Sequence, residues 1–164
     1  MNKYLATVAA ATLAAIAVVV PWEGKRNTAY QDHIGVWTVC YGHTGTGVKP
    51  GLKVSDAQCD LWLRQDLKVA YETTEQCVPG ELPRSVRAAF TSFAFNVGPG
   101  GKGRKDGMCM LKSGNTPSHV KLLNAGEYAR ACDMLLQWSS AGGKFSRGVY
   151  NRRVSEVKLC KEDL

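Results

Sequence analysis

The run from Tyr4 to Val20 carries no charge, and only Pro21 and Trp22 separate it from Glu23. A stretch like this must leave water, either into lipid or against the rest of the chain. A spanning helix needs roughly 17–25 mostly apolar residues, so the run stands at the lower limit. It is rich in Ala and holds Thr7 and Thr12, so it transfers only weakly into hydrocarbon. Lys3 gives it a positive flank. Two readings compete. Ala15-Ile16-Ala17 fits a signal-peptidase site, which makes the run a cleaved leader. Kept, it is a marginal membrane anchor. Position argues for retention, because cleavage after Ala17 leaves Glu23 close to a free terminus, and untied termini fray.

Trp22 to Gly47 reads WEGKRNTAYQDHIGVWTVCYGHTGTG. Tyr30, Asp32 and Ile34 share a face if their piece is a strand, and so do Val36, Thr38 and Cys40. Gly35 lies between the pieces as a tight turn or bulge. A hairpin here holds Asp32 and Thr38 close together, with Glu23 approaching from a helix end. Cleaving a glycosidic bond needs one protonated carboxyl on the leaving oxygen and a second, ionised carboxylate opposite. Glu23 follows an apolar segment, whereas Asp32 is followed by His33 in a polar stretch. Such contrasting surroundings set two carboxyls to different tasks. Taken singly, each residue reads better as a surface Glu, a turn Asp and a strand Thr.

The spacing of Glu23, Asp32 and Thr38 lifts the set above that reading. It resembles the catalytic triad of the bacteriophage-type lysozymes, glycoside hydrolase family 24. The resemblance extends through AYQDHIGVWTVCYGHTGTG, FTSFAFNVGPG at Phe90 to Gly100, and AGGKFSRGVYNRR at Ala141 to Arg153. It covers nearly all of the chain after Pro21. It implies a general acid at Glu23, a second carboxylate at Asp32 and a water-holding hydroxyl at Thr38. In that family the acid ends an N-terminal helix, and here only the uncharged run can form one. The chain therefore also resembles a signal-arrest-release endolysin, whose weak anchor holds the enzyme at the inner membrane and later leaves it. Some such endolysins rearrange a disulfide on release using an anchor cysteine; residues 1–20 contain none. The resemblance also offers Arg152 or Arg153 as a partner for a cleft carboxylate, with a surface arginine an equal reading.

Six cysteines without a Cys-x-x-Cys pair argue against zinc and for disulfides in an oxidising compartment. Sequence alone does not fix their pairing. The working hypothesis joins neighbours, Cys40 to Cys59, Cys77 to Cys109, and Cys132 to Cys160. The net charge of +7 and pI near 9.2 suggest an acidic partner. No nucleic-acid-binding motif is present. Peptidoglycan and an anionic membrane face both fit, and so does plain solubility.

The rest of the chain reads mainly as helix. Ser55-Asp56-Ala57-Gln58 is a capping box opening a long helix with Cys59, Trp62, Leu63, Leu67, Ala70 and Tyr71 inward. The resemblance implies that this helix joins two lobes. Pro83 starts another, with Val86, Phe90, Phe93 and Val97 as its buried stripe. Gly98 to Gly107 looks like a flexible loop in which Lys102, Arg104 and Lys105 either touch anionic wall groups or are simply solvated. Short helices are expected near 107–113 and 117–125, with Thr116 as an N-cap, then a helix from Glu127 to Trp138. A final helix, capped by Ser146, carries Val149, Arg153, Val157 and Cys160. His43 reads as a hydrogen-bonded brace more readily than a substrate contact. Trp22, Tyr30 and Trp37 suit sugar stacking and core packing equally.

The pattern predicts an α+β fold with a small antiparallel β-lobe, a larger helical lobe and a cleft between them. Residues 1–20 are expected as the anchor segment and 21–164 as a lysozyme-like catalytic domain. The expected function is hydrolysis of the β-1,4 bond between N-acetylmuramic acid and N-acetylglucosamine during host lysis, with inversion. The chain is expected to be inactive while tethered to the periplasmic side of the host inner membrane through residues 4–20, and soluble in the periplasm after release. No cofactor, metal or nucleic acid is expected, and the chain should be a monomer. The alternatives are a lytic transglycosylase or a non-catalytic, membrane-anchored wall-binding protein.

Overall fold

The computed structural model describes residues 3–32 and 35–164, apart from the side chains of residues 3–9. His33 and Ile34, expected in the hairpin, lie outside the described residues.

The uncharged run folds as one helix, α1 (Lys3–Glu23). Ala11, Ala15 and Val19 are buried and, four residues apart, make one stripe. That stripe lets α1 pack against α2 (Asp56–Cys77), α3 (Arg84–Val97) and α6 (Arg147–Cys160). Gly24, at φ 61°, ends the helix in the left-handed conformation that suits glycine. Glu23 is thereby fixed as the last helical residue. Among the described residues no helix is long and apolar enough to cross a membrane.

Three short strands follow, β1 (Arg26–Gln31), β2 (Trp37–Cys40) and β3 (His43–Thr44), antiparallel in the order β1-β2-β3. Tyr30 faces Thr38, and Thr38 faces Thr44. β2 is buried along Thr38, Val39 and Cys40 rather than on one face, because it is the central strand and Cys40 is bonded to Cys59 of α2.

Ser55 caps α2 by accepting from the Gln58 N–H at 3.2 Å. The expected inward residues are buried, except that Trp62 is only partly so. Leu63 and Leu67 pack with Val19 and Val39 in a β-lobe core, while Ala70 joins Phe90, Phe93, Leu123 and Leu135 in a helical-lobe core. One helix thus serves both lobes. α4 (Ser118–Asn124) and α5 (Tyr128–Met134) complete the helical lobe. Pro83 and Pro117 sit at the N-caps of α3 and α4. A single 3₁₀ turn, Leu135–Gln137, and a two-stranded ribbon, β4 (Ser140–Ala141) and β5 (Lys144–Phe145), lead to α6. Ser146 caps α6 by accepting from the Val149 N–H.

The three disulfides join Cys40 to Cys59, Cys77 to Cys109, and Cys132 to Cys160, the neighbour pairing expected. Each closes a loop of 19 to 32 residues, worth about 3–4 kcal/mol on the chain-entropy view.

Two expectations fail between α3 and α4. No helix forms at 107–113. The N–H groups of Met108, Cys109 and Met110 donate instead to the carbonyls of Gly98 and Pro99, so they are unavailable for helical bonds. Gly98 to Gly107 is therefore a tightly folded set of turns rather than an open loop. A Cβ on Gly100 would lie 2.0 Å from the Met110 carbonyl oxygen, an approach only glycine allows. The helix expected from Glu127 to Trp138 is also shorter, passing into the 3₁₀ turn after Met134.

Candidate active site

The end of α1 delivers Glu23 to a cleft between the lobes. This cavity, 360 Å³, is lined by Glu23, Gly42, Thr44, Asp66, Asn96 and Gly98 among others. The β2–β3 turn comes close to Glu23: a Cβ on Gly42 would lie 3.5 Å from Glu23 Oε2. On the other side, Arg152 of α6 donates from Nη1 to Glu23 Oε1. The side chain of Arg152 is 5% exposed and that of Glu23 20%, so solvent screens this ion pair little.

Arg152 is held from behind. Its Nε donates to Glu156 Oε1 at 3.3 Å and its Nη2 to the Ser92 carbonyl at 3.4 Å. Ser92 Oγ donates to Glu156 Oε1 at 2.8 Å. Arg153 Nη2 donates to the same oxygen at 3.2 Å and to Asn96 Oδ1 at 3.0 Å. The Arg153 guanidinium also sits over the Phe93 ring, 4.9 Å from its centre. Burial pushes the Glu156 carboxyl above the ordinary range, opposed by Arg153 and Arg152. Burial also lowers Arg153 to about 10, against the attraction of Glu156.

Asp32 and Thr38 both belong to the β1–β2 hairpin, where each bonds to Val36. Gly35 N–H donates to the Asp32 carbonyl at 3.0 Å, and Val36 N–H to Asp32 Oδ1 at 2.9 Å. The turn therefore fixes the direction of the Asp32 carboxylate. Thr38 is buried, and its hydroxyl donates to the Val36 carbonyl at 3.0 Å. Neither residue is among those lining the Glu23 cavity. Thr38 is one strand behind it, opposite the cavity-lining Thr44.

The remaining candidates divide by role. His43 Nδ1 lies 2.8 Å from Asp66 Oδ2, and its ring stacks on Trp62 with centres 4.4 Å apart. It braces β3 on α2. Trp22 is exposed, Trp37 packs on the β-lobe core, and Arg26 covers a face of Tyr30. A larger cavity of 780 Å³ opens beyond Asn96, past Lys105, His119 and Trp138. Its acid, Asp106, accepts from the Lys112 N–H. In the smaller cleft, by contrast, a carboxyl meets a buried cation. Among the described residues no group of His, Cys, Asp and Glu could hold a metal ion.

A family model described as phage lysozyme matches residues 20–156. The chain belongs to the phage lysozyme family. Membership implies a peptidoglycan-degrading endolysin. The chain is 31% identical over 166 residues to a SAR-endolysin of Bacteriophage PS119, covering 97% of this chain and 92% of that one. It is 34% identical to a SAR-endolysin of Pseudomonas phage phiKMV, over 99% and 94%. Among solved structures, the active form of P1 phage endolysin Lyz is similar with a TM-score of 0.77 at 27% identity, covering 95% and 92%.

In this phage lysozyme, sequence reasoning singled out Arg152 and Arg153 without choosing between them, and missed Glu156. A signal was present. Arg153, Glu156 and Cys160 recur at helical spacing on the face of α6 that packs inward, where charge is out of place unless paired.

Proposed function

We propose that this chain is a muramidase that hydrolyses the β-1,4 bond between N-acetylmuramic acid and N-acetylglucosamine. Glu23 protonates the glycosidic oxygen. Asp32 directs water from the opposite face of the sugar, with the Thr38 hydroxyl holding that water, and the anomeric centre inverts. The observation that carries the reading is the placement of Glu23 at the end of a docked helix, in the cleft, against buried Arg152. Family membership supports the substrate.

The names of the relatives support a second element of the proposal. Residues 1–20 tether the nascent enzyme to the inner membrane, and residues 21–164 form the catalytic domain. While the run lies in lipid, Glu23 is pinned at the membrane surface, away from Arg152. On release the run folds onto the domain as α1. Small residues on the packed stripe, Ala11 and Ala15, suit both states, because they gain little in either.

One observation favours a different outcome. Of the three candidates only Glu23 lines the cavity, and a lytic transglycosylase works with a single acid. The products decide. Mass spectrometry of digested peptidoglycan should show new reducing ends and no anhydro-sugar, and Asp32→Asn should lower the rate by about a hundredfold or more. Anhydro-muramic ends, with Asp32→Asn as active as the parent, would replace hydrolysis by transglycosylation.

A further inference from the structure

Behind the proposed acid lies a charged cluster that stability does not explain. Arg153 and Glu156 have fully buried side chains, and Arg152 is nearly so. Among the described residues, Arg153 Nε and Nη1 and Glu156 Oε2 are buried without a hydrogen bond. Nε and Oε2 meet only as an ion pair, 3.0 Å apart. Desolvating three charges with incomplete hydrogen bonding is costly, and apolar residues of like volume often fill such a site with no loss of stability. A native cluster left partly unsatisfied calls for another reason.

The geometry points to Glu156 as a positioning residue for the reaction: its carboxylate fixes the Arg152 guanidinium on Glu23 and offsets the charge of the two arginines behind that acid. The assignment rests on Glu23 being the general acid. Arg152 uses different nitrogens for its two carboxylates, Nη1 for Glu23 and Nε for Glu156. A planar guanidinium held at Nε cannot swing without leaving Glu23. Every group facing Glu156 serves this arrangement: Ser92 of α3, and Arg152 and Arg153 of α6. Asn96 of α3 holds Arg153, and Glu23 of α1 closes the chain on Arg152.

The charge argument has a definite sign. A general acid works only while it holds its proton. Without the Glu156 carboxylate, two buried cations face Glu23 uncompensated and favour its ionised form. The pH above which activity falls then moves down. With the two carboxylates on either side of one guanidinium and an effective dielectric near 20, this is about one pH unit. On the alkaline limb that is about a tenfold loss, seen in kcat rather than KM.

The test uses the purified full-length chain, with kcat, KM and the pH profile measured on soluble peptidoglycan fragments. Glu156→Gln keeps the shape of the side chain and removes its charge. Ser92→Ala removes only one donor to the carboxylate, and should move the profile the same way by less. Glu75→Gln breaks a remote ion pair with Arg87 and should leave the profile in place. An alkaline limb displaced to lower pH in Glu156→Gln, with KM preserved, supports the assignment. A parental profile in a folded Glu156→Gln, with only its melting temperature changed, overturns it. If Glu156→Gln does not fold, Ser92→Ala decides by the same criterion. Glu23→Gln separates the two ideas. If it is inactive while Glu156→Gln keeps the parental profile, the positioning role alone fails. If it is fully active, the acid assignment and the positioning role fail together.

Discussion

Arg152 and His119 show two ways in which burial changes what a side chain does. Arg152 meets carboxylates on two sides. His119 has no such partner: it is 1% exposed, its Nε2 donates to the Met108 carbonyl at 2.9 Å, and its ring packs against Phe90, Phe93 and Trp138. Burial lowers it from 6.5 to about 4. The unfolded chain therefore binds a proton between these values that the folded chain refuses. Stability from this group is complete above pH 6.5 and drains away as the pH falls towards 4, by about 3 kcal/mol in all. Urea titrations at pH 7 and pH 4.5 should show this loss in the parent and a shallower one in His119→Gln. Equal slopes would mean that other groups carry the acid sensitivity.

Helix α1 decides where Glu23 stands, so its packing should appear in both stability and rate. Ala15 is fully buried in the β-lobe core beside Val19, Leu63 and Leu67. Ala15→Leu forces extra methylenes into a filled space, typically at a cost of about 1–3 kcal/mol. For a chain of this size the melting temperature should fall by about 2–10 °C. The helix must also lift from α2, and Glu23 moves with it. The variant should therefore lose activity at temperatures where it remains folded. Full activity with an unchanged melting temperature would show that α1 is not rigidly docked.

For the molecule as a whole, what could be read from the sequence followed the range of the interactions. The β1–β2 hairpin, the Ser55 cap of α2 and the Ser146 cap of α6 are made by residues a few positions apart, and pattern suffices for these. The disulfides join cysteines consecutive in the chain, so the simplest hypothesis held. The Glu23–Arg152 pair spans 129 positions. Only the family resemblance raised Arg152 as a candidate, and nothing local separated it from Arg153. Glu156 carried a local sign, its helical spacing to Arg152 and Arg153 on the inward face of α6, but its tie to Ser92 exists only once α6 packs on α3. The missing helix at 107–113 has a nearer cause. Its donors were taken by carbonyls of the preceding turn, which no periodicity encodes. In this fold, local signals place the elements, and contacts distant in sequence place the acid.

The central claim is that α1 carries a general acid into the cleft, and the kcat of Glu23→Gln on peptidoglycan tests it most directly. The side chain keeps its size and loses its transferable proton, and general acid catalysis is worth roughly a hundredfold to ten-thousandfold. The account predicts a loss in that range, with an unchanged fold by circular dichroism and unchanged binding to peptidoglycan. A folded Glu23→Gln chain that clears peptidoglycan at close to the parental rate would contradict it.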